Sequence, residues 1–173
     1  MTVSHTAILP SPDDVQVVGE TFTLNTDNSS VILFDPIINK GIVRFEVLVV
    51  SQLNEVGIAV ESARFGFENV ARFMHKGWFK HIGGWLSDYT EYKTNDRVTL
   101  ELNMDSNPRT LSFFVNDKEQ KLYVVNVPAA VRFWAYLQGK PESFKVLKFE
   151  TVSAPTAKHS FFSSKRKWGE EWK

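Results

Sequence analysis

The chain has 173 residues, 43% hydrophobic and 23% charged, a balance that suits one globular domain with a single core. Twenty basic residues offset twenty acidic ones, so the molecule as a whole carries no electrostatic footprint for nucleic acid or an anionic membrane. With no cysteine there can be no disulfide, thiolate metal site or cysteine nucleophile, and four histidines leave little capacity for a metal.

The opening MTVSHTAILPSPDD lacks the basic start and long apolar run of a secretory signal, and no later apolar run approaches the ~18 residues of a membrane helix. A soluble protein of the cell interior, cytoplasmic in location, is expected, with residues 1–19 as a leader. Fourteen phenylalanines, five tryptophans, valine-rich runs and frequent turn signals predict an all-β sandwich. Phe22 and Leu24, then Val31 to Phe34, read as strands on either side of an Asn25–Ser30 loop whose short polar side chains satisfy a bend. In Ile42 to Val50, the side chains of Val43, Phe45, Val47 and Val49 share one face, which is assigned to the core. Gly57 falls inside the next strand, Val56 to Val60, where a glycine marks a close approach by another backbone or a ring.

From Glu61 to Tyr92 the chain interleaves basic residues (Arg64, Arg72, Lys76, Lys80) with rings (Phe65, Phe67, Phe73, Trp78, Phe79, Trp85, Tyr89, Tyr92). Such a mixture either grips a partner or supplies strand residues with alternating faces. Next, Val98, Leu100, Leu102 and Met104 alternate with polar residues, a turn follows at Asp105–Arg109, and Leu111, Phe113 and Val115 alternate again. This pattern predicts an antiparallel hairpin that buries one face. Leu122 to Val127, Val131 to Leu137 and Phe144 to Phe149 complete the strands, with Pro128 at a boundary because proline cannot donate to a ladder. Ser153–Thr156 reads as the exit from the domain. In the tail, residues 155–173, the rings of Phe161, Phe162, Trp168 and Trp172 stand among charges, and they either pack back on the sandwich or dock into a larger assembly.

The hairpin segment NDRVTLELNMDSNPRTLSFFVND resembles the signature of the SPRY domain family. GIVRFEVLV from Gly41, EVGIAV from Glu55 and VPAAVRFWAYLQG from Val127 are similar to further family strands in the expected order. The resemblance covers about Gly41 to Glu150. It implies a two-sheet antiparallel sandwich of the concanavalin-like type, spanning 20–154, that serves as a non-catalytic protein-interaction module. It also implies that loops at one end contact a peptide or protein partner. The corresponding residues are Trp78, Trp85, Tyr89 and Tyr92 before the hairpin, and Trp134, Tyr136, Gln138 and Lys140 on and after the late strand. The partner itself does not carry over.

Enzymatic readings find little support in the sequence. Alternation puts Glu101, Asn103 and Asp105 on one face, but the middle residue is an amide and a retaining glycosidase needs two carboxylates about 5 Å apart. No Gly-x-Ser-x-Gly occurs, and Gly83-Gly84 lacks the lysine and hydroxyl of a phosphate cradle. No catalytic residue, metal or cofactor is therefore assigned. Two alternatives to the peptide-binding module stand: a structural subunit anchored in a large assembly by its aromatic tail, and, as a minor reading, a lectin-like domain that stacks sugar on Trp78 and Trp85.

Overall fold

A computed structural model describes residues 1–173. Its strands are, in chain order, β1 (Thr6–Ile8), β2 (Val15–Val18), β3 (Thr21–Leu24), β4 (Ser30–Asp35), β5 (Ile42–Ser51), β6 (Glu55–Val60), β7 (Val70–Met74), β8 (Trp78–His81), β9 (Gly84–Leu86), β10 (Arg97–Asn103), β11 (Thr110–Val115), β12 (Lys118–Val125), β13 (Val131–Leu137), β14 (Ser143–Val152) and β15 (Ser164–Lys167). They form two sheets, one in the order β1-β4-β13-β6-β7-β8-β9 and the other β15-β12-β11-β10-β5-β14-β3-β2. Every pairing is antiparallel except β12 with β15. No helix is long and apolar enough to cross a membrane.

The apolar alternation read from the sequence is the core. Val43, Phe45, Val47 and Val49 of β5 are buried together with Leu100, Leu111 and Phe113 of the hairpin and Phe133 and Leu137 from the facing sheet. Phe45 stacks on Phe133 at 4.6 Å, and Phe73 stacks on Phe79 at 4.4 Å, so rings from both sheets fill the space between them. The hairpin has the expected register, with Val98 opposite Val115, Leu100 opposite Phe113 and Leu102 opposite Leu111.

The polar ends of the signature also acquire a physical reason. Asn116 and Asp117 both have positive φ, which suits the two-residue turn that joins β11 to β12. The Asn116 amide donates to Asp96 at 2.9 Å, its oxygen accepts the Arg97 N–H at 2.9 Å, and Arg97 grips Asp117 through both guanidinium nitrogens. The Asn-Asp start and the Asn-Asp end of the signature thus lock onto each other. Gly57 is the predicted close approach: a Cβ there would lie 1.9 Å from the Ala71 carbonyl oxygen.

The leader and the tail are not appendages. Within 1–19, β1 pairs with β4 and β2 with β3, while the His5 ring stacks on Phe149 at 4.8 Å. At the other end, β15 extends the eight-stranded sheet and Trp172 is buried, its indole N–H donating to the Lys167 carbonyl at 3.0 Å. The boundaries at 19 and 155 therefore divide a continuous sandwich. Strands of three or four residues are too short to show a period, and β15 has no apolar residue at all.

Candidate interaction surface

Strand parity sorts the aromatic and basic residues of 61–92 onto two faces. Phe73, Phe79 and His81 point into the core, whereas Arg72, Met74, Trp78, Lys80 and Trp85 point to the outside of the seven-stranded sheet. Across that outer face, Trp134 lies opposite Gly57, then Arg72, Lys80 and Trp85 follow in register; Tyr136 lies opposite Glu55, then Met74 and Trp78. The loop between β6 and β7 folds back over part of this face. There the Trp134 indole N–H donates to the Gly66 carbonyl at 3.1 Å, and the Phe67 ring meets Trp134 and Tyr136 edge-on at 5.8 and 4.9 Å.

Glu55 is the electrostatic centre. It is only 2% exposed, and its carboxylate accepts from Arg72 Nη1 at 3.0 Å and lies 3.1 Å from Lys80 Nζ. A carboxylate buried this deeply requires such partners. Each cation also faces a ring, Arg72 at 4.7 Å from the centre of Phe67 and Lys80 at 5.7 Å from that of Trp78. The result is a rigid row of rings and two cations against one anion, bordered by Trp85 at 59% exposure.

The structure distributes the sequence-selected residues unevenly. Trp78, Trp85 and Tyr136 lie on this face and reach solvent. Trp134 lies on it too but is fully covered by the β6–β7 loop, so it supports the surface and cannot touch a partner. Tyr92 is a correction: it is buried in the core, where its hydroxyl donates to the Asn54 and Phe73 carbonyls at 3.2 and 3.0 Å, and burial pushes its pKa well up. Tyr89 is half-buried with its edge against Phe79 at 5.0 Å. Gln138 and Lys140 are exposed in the β13–β14 loop, where Gln138 accepts from Asn54 at 2.7 Å and Lys140 stands 3.8 Å from Asp27.

In the tail, Trp168 and Trp172 flank the buried His81 at 4.6 and 4.8 Å, whereas Phe161 and Phe162 are 97% and 78% exposed. His81 Nδ1 donates to the Val70 carbonyl at 3.0 Å and Nε2 accepts the Gly169 N–H at 2.9 Å, an arrangement that requires the neutral ring. Burial lowers its pKa accordingly. Glu101, on the outer face of the other sheet, is 2% exposed and held by Arg44 Nη1 at 2.5 Å. No three His, Asp or Glu side chains stand close enough together to hold a metal ion.

Sequence reasoning did not select Glu55, Phe67, Arg72 and Lys80 as site residues. Arg72 and Lys80 lie on neighbouring strands in register, and their convergence on Glu55 depends on strand order, which alternation does not encode.

No protein-family model matches the sequence, and no curated protein matches it. Among solved structures, the SPRY domain of human HERC1 superimposes with a TM-score of 0.64 at 17% identity, covering 82% of this chain and 99% of that one. The carbohydrate-binding module CBM66 from Bacillus subtilis superimposes with a TM-score of 0.54 at 11% identity, covering 86% of this chain and 94% of that one. The two-sheet architecture and these superpositions give the chain an antiparallel β-sandwich fold similar to that of the SPRY domain of HERC1.

Proposed function

We propose that the protein is a non-catalytic interaction module of the cell interior, and that it binds a peptide or protein partner through the outer face of the seven-stranded sheet. The supporting observation is the row Tyr136, Phe67 and Trp78 around the Glu55–Arg72–Lys80 cluster, rings held by packing beside charges held by one another, with the exposed Trp85 at its border. Rings fixed in this way lose little entropy on docking, and Trp, Tyr and Arg are the residues that concentrate binding energy at interfaces. Two cations against one carboxylate leave the cluster with an excess positive charge, which favours a partner bearing an acidic group beside an apolar side chain. The adjoining loop residues Gln138 and Lys140 extend the same reading to one end of the sandwich.

Affinity purification from the native source should compare the unaltered chain with Trp85→Ala and with Phe161→Ser/Phe162→Ser. A partner lost with Trp85→Ala, at a cost of about 2 kcal/mol or ~30-fold in affinity, supports the proposal. A partner retained by Trp85→Ala and lost with the phenylalanine pair would replace it with the anchored structural subunit, which the exposure of Phe161 and Phe162 favours. A sugar that competes for Trp85 would favour the lectin-like reading, for which the CBM66 superposition speaks.

A further inference from the structure

The outer face of the eight-stranded sheet carries a different feature. Glu101 and Glu119 each accept hydrogen bonds from two consecutive backbone N–H groups of the C-terminal segment. Thr156 and Ala157 donate to Glu101 at 3.0 to 3.2 Å, and Lys158 and His159 donate to Glu119 at 2.8 and 3.0 Å. Two side chains of the segment are read as well. The Thr156 hydroxyl donates to Glu101 at 2.6 Å and accepts from Arg44. The His159 ring stacks on Tyr123 at 3.8 Å and meets the Ser112 hydroxyl at 2.7 Å.

Between Ser153 and His159 the segment makes no backbone–backbone hydrogen bond, so side chains of the sandwich hold it. It then adds β15 to the open edge of β12 in parallel, with Leu122 opposite Ser164 and Val125 opposite Lys167. This combination of carboxylates on an extended backbone, two side-chain contacts and strand addition is how a sheet binds a peptide in trans.

We propose that this face is a second peptide-docking surface, occupied in cis by Thr156–Lys167 as a displaceable ligand. Its external partner is an extended peptide that offers the same consecutive backbone N–H donors, hydroxyl and ring. The two carboxylates each take a pair of successive main-chain N–H groups, so they read an extended backbone in a fixed register. A hydroxyl residue followed three positions later by a flat ring completes the recognition pattern. Ser153, Ala154 and Pro155, all exposed, are the hinge. Trp168 and Trp172, clasped around His81, keep the far end in place and so maintain the closed state.

The test uses the full chain and a fluorescein-labelled peptide with the sequence of residues 155–169. Thr156→Pro/Lys158→Pro removes the N–H and hydroxyl donors at those two positions and leaves the docking face intact. A tethered segment competes at an effective concentration in the millimolar range, so the double variant should bind the peptide at least about tenfold tighter than the unaltered chain. Adding Glu119→Gln should cancel the gain. A double variant with unchanged near-ultraviolet circular dichroism and no gain in affinity overturns the proposal. Should that variant not fold, amide exchange in the unaltered chain decides. Amides of 156–167 that open well before those of β10 and β11 support a displaceable ligand, whereas exchange of all of them together in global unfolding overturns it.

Discussion

Phe113 is fully buried and contacts both Phe73 and Phe79 edge-on, at 5.6 and 4.9 Å. Its truncation to alanine leaves a ring-sized cavity, for which a loss of ~3–5 kcal/mol is expected in urea unfolding. Tyr92→Phe keeps the ring but leaves the Asn54 and Phe73 carbonyls without the phenolic donor, and should cost ~1–3 kcal/mol in the same assay. Trp85→Ala should stay within about 0.5 kcal/mol of the unaltered chain, because the ring is on the surface. The contrast between Tyr92 and Trp85 also shows what single residues disclosed in the sequence. Strand alternation says which face a side chain takes, and it placed Phe113 correctly. It says nothing of what covers that face, so Trp134, on an outer face beneath the β6–β7 loop, read as accessible. Tyr92 follows no strand period, and only the folded chain puts its ring at the end of the core.

At the level of elements, the hairpin β10–β11 and strand β5 were fully legible, since each carries a sustained period of two and a polar turn. The edge strands were not. β15 consists of Ser-Lys-Arg-Lys, without an apolar residue, and it joins the sheet through main-chain pairing with β12 while Trp172 supplies the burial. A related dependence links β9 to the C-terminal end. A Cβ on Gly84 would lie 2.1 Å from the Trp172 carbonyl oxygen, so backbone must move to admit even a methyl group. Gly84→Ala should therefore loosen the clasp around His81, read as a red-shifted tryptophan emission and faster amide exchange at 164–172. The hairpin β10–β11 should stay protected, because Gly84 does not touch it.

For the whole molecule, histidines set the response to acid. Burial lowers the pKa of His81, His75 and His159 below the ordinary 6.5, with Lys76 adding to the effect at His75. His5 moves the other way: burial opposes the charge, but bonds to Glu20 and the Val3 carbonyl overcome it. For the three depressed groups, the unfolded chain takes up protons first as pH falls through 6.5, so stability present above that value is lost on acidification. His5 contributes the opposite dependence, with stability present below 6.5 and lost as pH rises through its raised value. Three against one predicts a melting temperature that falls from pH 7 to pH 5. His81→Gln retains an acceptor for Gly169 without a titrating ring, and its curve should be flatter than that of the unaltered chain.

The order in which the sheets are assembled has a consequence for biosynthesis. Ile42 pairs with Val152, and Trp172 enters a core whose other members are spread from Val15 to Phe149. A nascent chain that has emerged through β13 still lacks β14, and with it the partner that joins β5 to β3. Until the last tryptophan has left the ribosome, the slot beside His81 stands open and the edge of β12 is bare. Emergence of the segment through Trp172, rather than of any earlier strand, is then the event that completes the sandwich. A chain ending near Ser160 would lack β15 and leave the edge of β12 unpaired, which makes it a client for chaperones that recognise bare strands.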